Sequence, residues 1–437
     1  MRLLPLLAAF LIAAPATAQT AAPAAAQPVQ PDPAFQARLD ALIPILSGGG
    51  DYAGYFTPAF QAQVPQATLQ AVTAQLIAGN GKPMQILSVS QETPWRATVR
   101  VQYEKAVANV LLVADPAAPH RVGGLLVRGF ESAEKTLPAV ESAFAALPGD
   151  VGYAIARLGS GAPQLLKGRN ADKPYAIGSA FKLVILAELV RATNAGERTW
   201  DDLVTLDGGT LPGGVYARKP RGTRVPLREL ATQMISISDN SATDILLHAL
   251  GRAKVEAMMP VLGIADPARN RPFLGTMELF KLKGVAGLAE RYLPLDEAGR
   301  RKLLDGEVAG IPPILINATS FTQKIPNRID TLEWFESPND LVRVMDWLRR
   351  NTEGMAGIEA RKVLSVNPGV SPDVRGKWQW IGYKGGSEPG VMNMTLLLQA
   401  RNGDWYVVTG SWNDLQKAVD EGRFASLIGK AAELSAP

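Results

Sequence analysis

The chain has no cysteine in 437 residues. That excludes a disulfide framework, a thiolate nucleophile, a lipid-modified cysteine and any Cys/His zinc site. Histidine is nearly absent too, with only His120 and His248. A Ser-His-Asp triad would have to recruit one of these. They fall in different predicted domains, which disfavours a two-His metal site. Neither a metal nor a cofactor is expected. The net charge is only +4, and no dense Lys/Arg run is interleaved with aromatics, so the footprint of a nucleic-acid binder is missing. Long apolar runs are scarce. The one at the start, "MRLLPLLAAFLIAAPATAQ", follows Arg2 for about a dozen residues, too few for a comfortable membrane span, and ends in the small-x-small "ATA" of Ala16–Ala18. This predicts a secretory signal over residues 1–18, an exported protein without a transmembrane segment, and a periplasmic location.

What is present reads as an ordinary globular protein. Hydrophobic residues make up 47% and charged residues 20%, enough to build a sizeable core, and the length suits two or three domains. Residues 19–33, "QTAAPAAAQPVQPDP", lack apolar periodicity and predict a disordered leader. "FQARLDALIPIL" and "ATLQAVTAQLIAG" read as amphipathic helices. After Gly81 four strand-like runs follow, from "MQILSVSQ" to "RVGGLLVRGF". Helices followed by a run of strands predict a small α+β domain over residues 34–132. A second domain, residues 133–437, restarts with a helix and two strands, becomes mostly helical, and returns to strands in "WQWIGYKGG", "MNMTLLLQA" and "WYVVTGSW". One sheet built from both ends of this domain is expected.

Two Ser-x-x-Lys pairs occur, Ser132–Lys135 and Ser179–Lys182. Residues i and i+3 share a helix face, and a helix N-terminus stabilises a developing oxyanion. A Lys that is desolvated or set beside another cation can lose its proton near neutral pH and activate a serine without histidine. Glu131 and Glu134 flank Ser132 and would hold Lys135 charged, whereas Ser179 heads the apolar run "LVILAELV". Downstream lie Ser238-Asp239-Asn240, the sole such tripeptide, and Lys384-Gly385-Gly386-Ser387 at a strand end. The tripeptide also suits a helix cap. The glycines would let a substrate approach the strand, with Lys384 holding an anionic group.

Ser-x-x-Lys, Ser-Asp-Asn and Lys-Gly-Gly-Ser, in this order, resemble the serine β-lactamase and penicillin-binding protein superfamily, nearest to class A β-lactamases. The likeness extends to "GTRVPLRELATQMISISDNSATDILLHALG", "FESPNDLVRVMDWL" and "ARNGDWYVVTGSW", about residues 135–435. It implies an antiparallel sheet with helical layers and a helical subdomain. It also implies hydrolysis of a β-lactam, or a related carboxylate-bearing ester or amide, through an acyl-enzyme. Carried over residue by residue, Ser179 is the nucleophile, Lys182 its proton acceptor, and Ser238 the relay to the leaving nitrogen. Asn240 binds the substrate amide, Lys384 the carboxylate, and the N–H groups of Ser179 and Ser387 form the oxyanion hole. Esterase or D-alanyl-peptidase activity on the same fold, or penicillin binding without turnover, are the alternatives. The separate front domain resembles the nuclear-transport-factor-2 or cystatin-like cone that precedes some β-lactamase-like hydrolases.

Two positions depart from the family. Gly385 stands where the family carries a hydroxyl, so Ser387 substitutes for it or the contact is lost. The Glu-x-x-Leu-Asn pattern that supplies the deacylating base is missing. Glu278, the one acidic residue between Asp266 and Glu290, either faces the acyl-enzyme or pairs with Lys281 or Lys283. Trp378, Trp380, Trp405 and Trp412 read as core or sheet surface, and His248 as structural.

Overall fold

A computed structural model describes residues 31–209, 211–354 and 357–437. The expected signal and nearly all of the leader lie outside the described residues. The Asp32 carboxylate accepts from the Ala34 N–H at 2.8 Å and caps helix α1 (Pro33–Asp40), with proline at its first position. Helix α2 (Leu42–Leu46) and helix α3 (Gln66–Asn80) follow. Although α3 reads as amphipathic, Thr73 is its one fully buried residue, and Leu69 is only partly covered.

Strands β1 (Pro83–Thr93), β2 (Arg96–Tyr103), β3 (Ala106–Ala114) and β4 (Val122–Ser132) form an antiparallel meander in that order. Ala97, Val99, Val101 and Tyr103 alternate inward on β2, as the period of two demands. They pack on Phe35, Leu39 and Leu42 in a core separate from the rest of the chain. Ser132 ends β4 buried, accepting from Arg423, so the first Ser-x-x-Lys pair is part of a junction.

Helix α4 (Leu137–Ala145) leads into β5 (Asp150–Leu158) and β6 (Gln164–Arg169). These join the late strands β9 (Trp380–Glu388), β10 (Val391–Gln399) and β11 (Trp405–Asn413) in one antiparallel sheet of order β9-β10-β11-β5-β6. The sheet is thus assembled from the two ends of the region, as expected. Tyr153 and Ile155 face α4 and the closing helix α10 (Glu421–Leu434), while Ala154 and Ala156 face the helical layer behind.

The heart of that layer is α5 (Lys182–Asn194), in which Leu183 through Ala187, Leu189 and Val190 are fully buried. A helix apolar all round belongs in a core, and each large aliphatic contributes ~1.5–3 kcal/mol on burial. Around it stand α6 (Leu227–Ser236), α7 (Asn240–Leu250), α8 (Thr276–Gly284) and α9 (Pro338–Asn351). A two-residue ladder between β7 (Tyr175–Ala176) and β8 (Phe335–Glu336) ties the segment before α5 to the one before α9.

Trp378, Trp405 and Trp412 are buried, and Trp380 packs edge-on against Trp405. His248 is exposed on α7, and His120 stacks on Trp95.

Candidate active site

Ser179 lies in a tight 3-10 turn, Gly178–Phe181, and Lys182 is the first residue of α5, so the pair straddles the helix start. Phe181 stacks on Trp334 with ring centroids 3.6 Å apart, and the Ile177 N–H donates to the Trp334 carbonyl at 3.0 Å. Trp334 is a buried support beneath the turn that carries Ser179.

The turn meets β9 backbone to backbone. Gly178 has φ +49°, and a Cβ there would come within 3.0 Å of the Ser387 nitrogen; a Cβ on Gly386 would sit 2.3 Å from the Ser179 nitrogen. Both positions require glycine for steric reasons. This close approach sets the main-chain nitrogens of Ser179 and Ser387 side by side. Gly385 adds no side chain, and Ser387 is exposed at the cleft.

The opposite wall is the turn between α6 and α7. Lys182 Nζ donates to the Ser238 carbonyl at 2.6 Å, to Ser238 Oγ at 3.0 Å and to Asn240 Oδ1 at 2.8 Å. Lys384 Nζ donates to Ser238 Oγ at 3.1 Å and to the Gly385 carbonyl. One hydroxyl therefore joins two lysines. No hydrogen bond links Ser179 Oγ to Lys182 among the described residues; catalytic contacts are often long before substrate binds.

Ser238 has φ +59°, an unfavourable region for a residue with a side chain. Asp239 holds it there. Its carboxylate accepts from the Val215 N–H at 2.5 Å, the Ala242 N–H at 2.7 Å and the Ser241 hydroxyl at 2.6 Å. Asp239 is also the N-cap of α7, so capping and site geometry are one device.

Burial pushes the Lys182 ammonium down to about 7, against the opposing pull of Asp244 and Asp239. Burial, and secondarily the charge of Lys182, holds Lys384 well below its ordinary value. The pair can thus exist without full positive charge at neutral pH, which makes Lys182 competent to accept a proton.

Glu278 is held elsewhere. Arg252 grips both its oxygens at 2.6 and 3.0 Å, and the Gly275 N–H donates to it at 2.7 Å, closing the start of α8. Pairing with Lys281 or Lys283, one of the two alternatives its spacing offers, is not made among the described residues. Lys281 donates to the Val308 and Ala309 carbonyls, and Lys283 lies between Glu333 at 3.0 Å and Glu388 at 2.5 Å. The structure brings together Ser179, Lys182, Ser238, Asn240, Lys384, Gly385, Gly386 and Ser387. No hydrogen bond joins Glu278 to this set among the described residues.

Sequence reading missed three features. Buried Asp244 receives the Thr276 and Met277 N–H groups at 2.6 and 2.9 Å and fastens α8 to α7. The Thr276 hydroxyl is buried without a partner. The triad Lys283–Glu333–Glu388 connects the end of α8, the segment before β8 and the residue after Ser387. Asp244 was within reach, four residues past Asn240 on the same helix face; the triad spans separations too long for any local pattern. Among the described residues, no cluster of three His, Asp or Glu side chains is placed to hold a metal ion.

Residues 133–310 match the family described as "Beta-lactamase enzyme family". The match includes Ser179, Lys182, Ser238 and Asn240 and stops before Lys384. No curated protein matches the chain. Similar solved structures include a β-lactamase from Sphaerobacter thermophilus at 22% identity, covering 68% of this chain and 95% of that one, with a TM-score of 0.46. PBP-A is similar at 18% identity, 69% and 96% coverage and a TM-score of 0.46. A β-lactamase from Chitinophaga pinensis stands at 17% identity, 68% and 96% coverage and a TM-score of 0.46. The family match and the sheet order together make the region from residue 133 a β-lactamase/transpeptidase-like fold.

Proposed function

We propose that this protein is an exported serine hydrolase of the class A β-lactamase type that opens a carboxylate-bearing β-lactam through an acyl-enzyme at Ser179. The observation that carries this reading is the Ser238 hydroxyl, held at 3.0 and 3.1 Å by two buried lysines on either side of it. Such a hydroxyl can pass a proton between a base and a leaving nitrogen.

Neutral Lys182 takes the proton of Ser179 Oγ, which attacks the lactam carbonyl. The charge that develops on the carbonyl oxygen is met by the N–H groups of Ser179 and Ser387. As the C–N bond breaks, Ser238 gives its proton to the departing nitrogen and is reprotonated by Lys182, which returns to neutrality. A substrate carboxylate beside Lys384 favours its protonated form, and the charge so created keeps Lys182 deprotonated. Hydrolysis of the ester then frees Ser179.

Two further parts belong to the same proposal. Residues 1–18 direct export to the periplasm, and residues 34–132 are an NTF2- or cystatin-like domain in front of a catalytic domain over 133–437.

The grip of Arg252 on Glu278 favours a second reading, in which the acyl-enzyme turns over slowly and esters are better substrates than amides. The deciding experiment is intact mass during a time course with a penicillin, beside Ser179→Ala. Gain and rapid loss of the drug's mass, absent from the variant, supports lactamase action. A lasting adduct supports penicillin binding. No adduct with intact drug overturns the lactam assignment, and ester substrates then decide the alternative.

A further inference from the structure

A cavity of about 670 Å³ opens between the meander of the front region and helix α10. That size lies within the range of small-molecule sites. One wall is the sheet face, presenting Ser88, Ser90, Thr98, Arg100 and Arg128; the other is loop 367–374 with α10. Phe130 and Val370 add apolar surface.

The charges in this cavity are unevenly matched. Arg100 donates to Glu131 at 2.7 Å, and the other Glu131 oxygen accepts from Asn109 at 2.8 Å. Lys430 is paired with Glu433 at 2.7 Å. Across the cavity, Arg100 reaches Asp373 only at 3.5 Å, and its Nε is buried without a partner. Arg128 is exposed; it donates to the Thr98 hydroxyl at 3.5 Å, and its charge also helps to hold the Glu92 carboxyl below its ordinary value. The sheet side therefore offers guanidinium donors to an anion, and half-exposed Asp373 offers an acceptor to a donor group opposite. A carboxylate, an amide N–H and an apolar group in one small molecule match this arrangement.

The wall loop also touches the catalytic cleft. The Asn367 side chain donates to the Ser236 carbonyl at 3.1 Å, two residues before Ser238. Gly369, with φ +65°, packs so closely under the Tyr383 ring that a Cβ would lie 2.5 Å from it, and Tyr383 precedes Lys384.

We propose that this cavity binds a small N-acyl amino acid or short peptide through its free carboxylate, and that occupancy is transmitted along loop 367–373 to the Ser238 turn. Neither half depends on the chemistry proposed for Ser179.

The test is calorimetric titration of the full chain with N-benzoylglycine, alongside Arg128→Gln, Gly429→Leu and Lys384→Met. Gly429 lines the cavity from α10, and a Cβ there meets only Val374, at an ordinary 3.8 Å, so leucine fills the space from the far wall. One saturable site is expected, weakened at least ~10-fold by Arg128→Gln and Gly429→Leu and unchanged in Lys384→Met; an Arg–carboxylate contact has this magnitude. Absence of saturable binding overturns the site. So does binding lost in Lys384→Met but kept in the other two, which would put the probe in the catalytic cleft. For transmission, the probe is expected to slow amide hydrogen exchange over residues 236–240 in the native chain and not in Asn367→Ala. Unchanged exchange in the native chain at saturation overturns that half.

Discussion

Lys182 and Lys283 are both buried, at 0% and 7% exposure, yet their surroundings drive them in opposite directions. Around Lys182 the acceptors are a carbonyl, a hydroxyl and an amide oxygen, and burial brings its pKa down to about 7. Around Lys283 burial acts the same way, but Glu333 and Glu388 outweigh it and hold the ammonium above its ordinary value. Burial alone does not decide whether a lysine is a base or a structural cation; the charge of its partners does. The same division runs through the molecule. The wall carrying Ser238 leaves its lysines without carboxylate contacts, while the wall carrying Glu278 commits Arg252 and Lys283 to ion pairs.

The largest break in this comparison is expected from Lys182→Met. On the proposed mechanism, removing this amine should slow acylation of Ser179 by ~10²–10⁴-fold with little loss of folding, since methionine fills the same buried space. Stopped-flow acylation with a chromogenic cephalosporin measures it; a variant within threefold of native would end the role given to Lys182. Lys283→Met should behave in the reverse manner. It leaves Glu333 and Glu388 buried together without their cation, and loss of ~3–5 kcal/mol of stability is expected from stranding buried charge. Urea denaturation reads this directly, and an unchanged midpoint would show that the triad contributes nothing.

The pH dependence sharpens the contrast. A base must be unprotonated to act, so acylation should rise with pH through about 7 and fall about tenfold per unit below it. Asn240→Asp would place a carboxylate where Lys182 now meets an amide oxygen at 2.8 Å. An opposite charge favours the ammonium, so the limb should move to higher pH. A limb that stays near 7 assigns it to another group. Stability should show a different sign at Glu388, whose carboxyl is pushed up to about 8 by burial and then by Glu333, against Lys283. Its folded value lies above its unfolded one, so the stabilising contribution is complete below about 4.5 and is lost as pH rises to about 8. Denaturation midpoints of native protein and Glu388→Gln across that window should converge at acid pH and separate at alkaline pH, the variant becoming relatively more stable.

The smallest effect is expected from Glu278→Gln. Its oxygens are occupied by Arg252 and the Gly275 N–H, so loss of the adduct from acylated protein should change by less than about threefold, as for a group outside the chemistry. A fall of a hundredfold would restore Glu278 as the base for water.

The part of the site that could be read from the sequence is the part written in short spacings. Ser179 and Lys182 are three residues apart, Ser238 to Asn240 form one turn, and Lys384 to Ser387 lie on one strand. Local geometry carries such groups whatever surrounds them. The sheet was legible for a similar reason, because alternation in "VGYAIARLG" and "WYVVTGSW" marks each strand by itself. The exact helix start was less so: the apolar run predicted α5, but the 3-10 turn that places Ser179 outside it depends on packing against β9.

The partner of Glu278 could not be read, because Arg252 lies 26 residues away on another element, while Lys281 and Lys283 were neighbours at helical spacing. Nor could the Lys283 triad, whose members are 50 and 105 residues from the lysine. The sequence by itself determined which groups are present, which stand within one turn or strand of each other, and that cysteine has no place in the chemistry. Only the tertiary structure decided which lysine meets neutral acceptors in place of carboxylates and which glutamate is occupied. Desolvation and ion pairing depend on what the fold brings within a few ångströms, and chain spacing does not encode that distance.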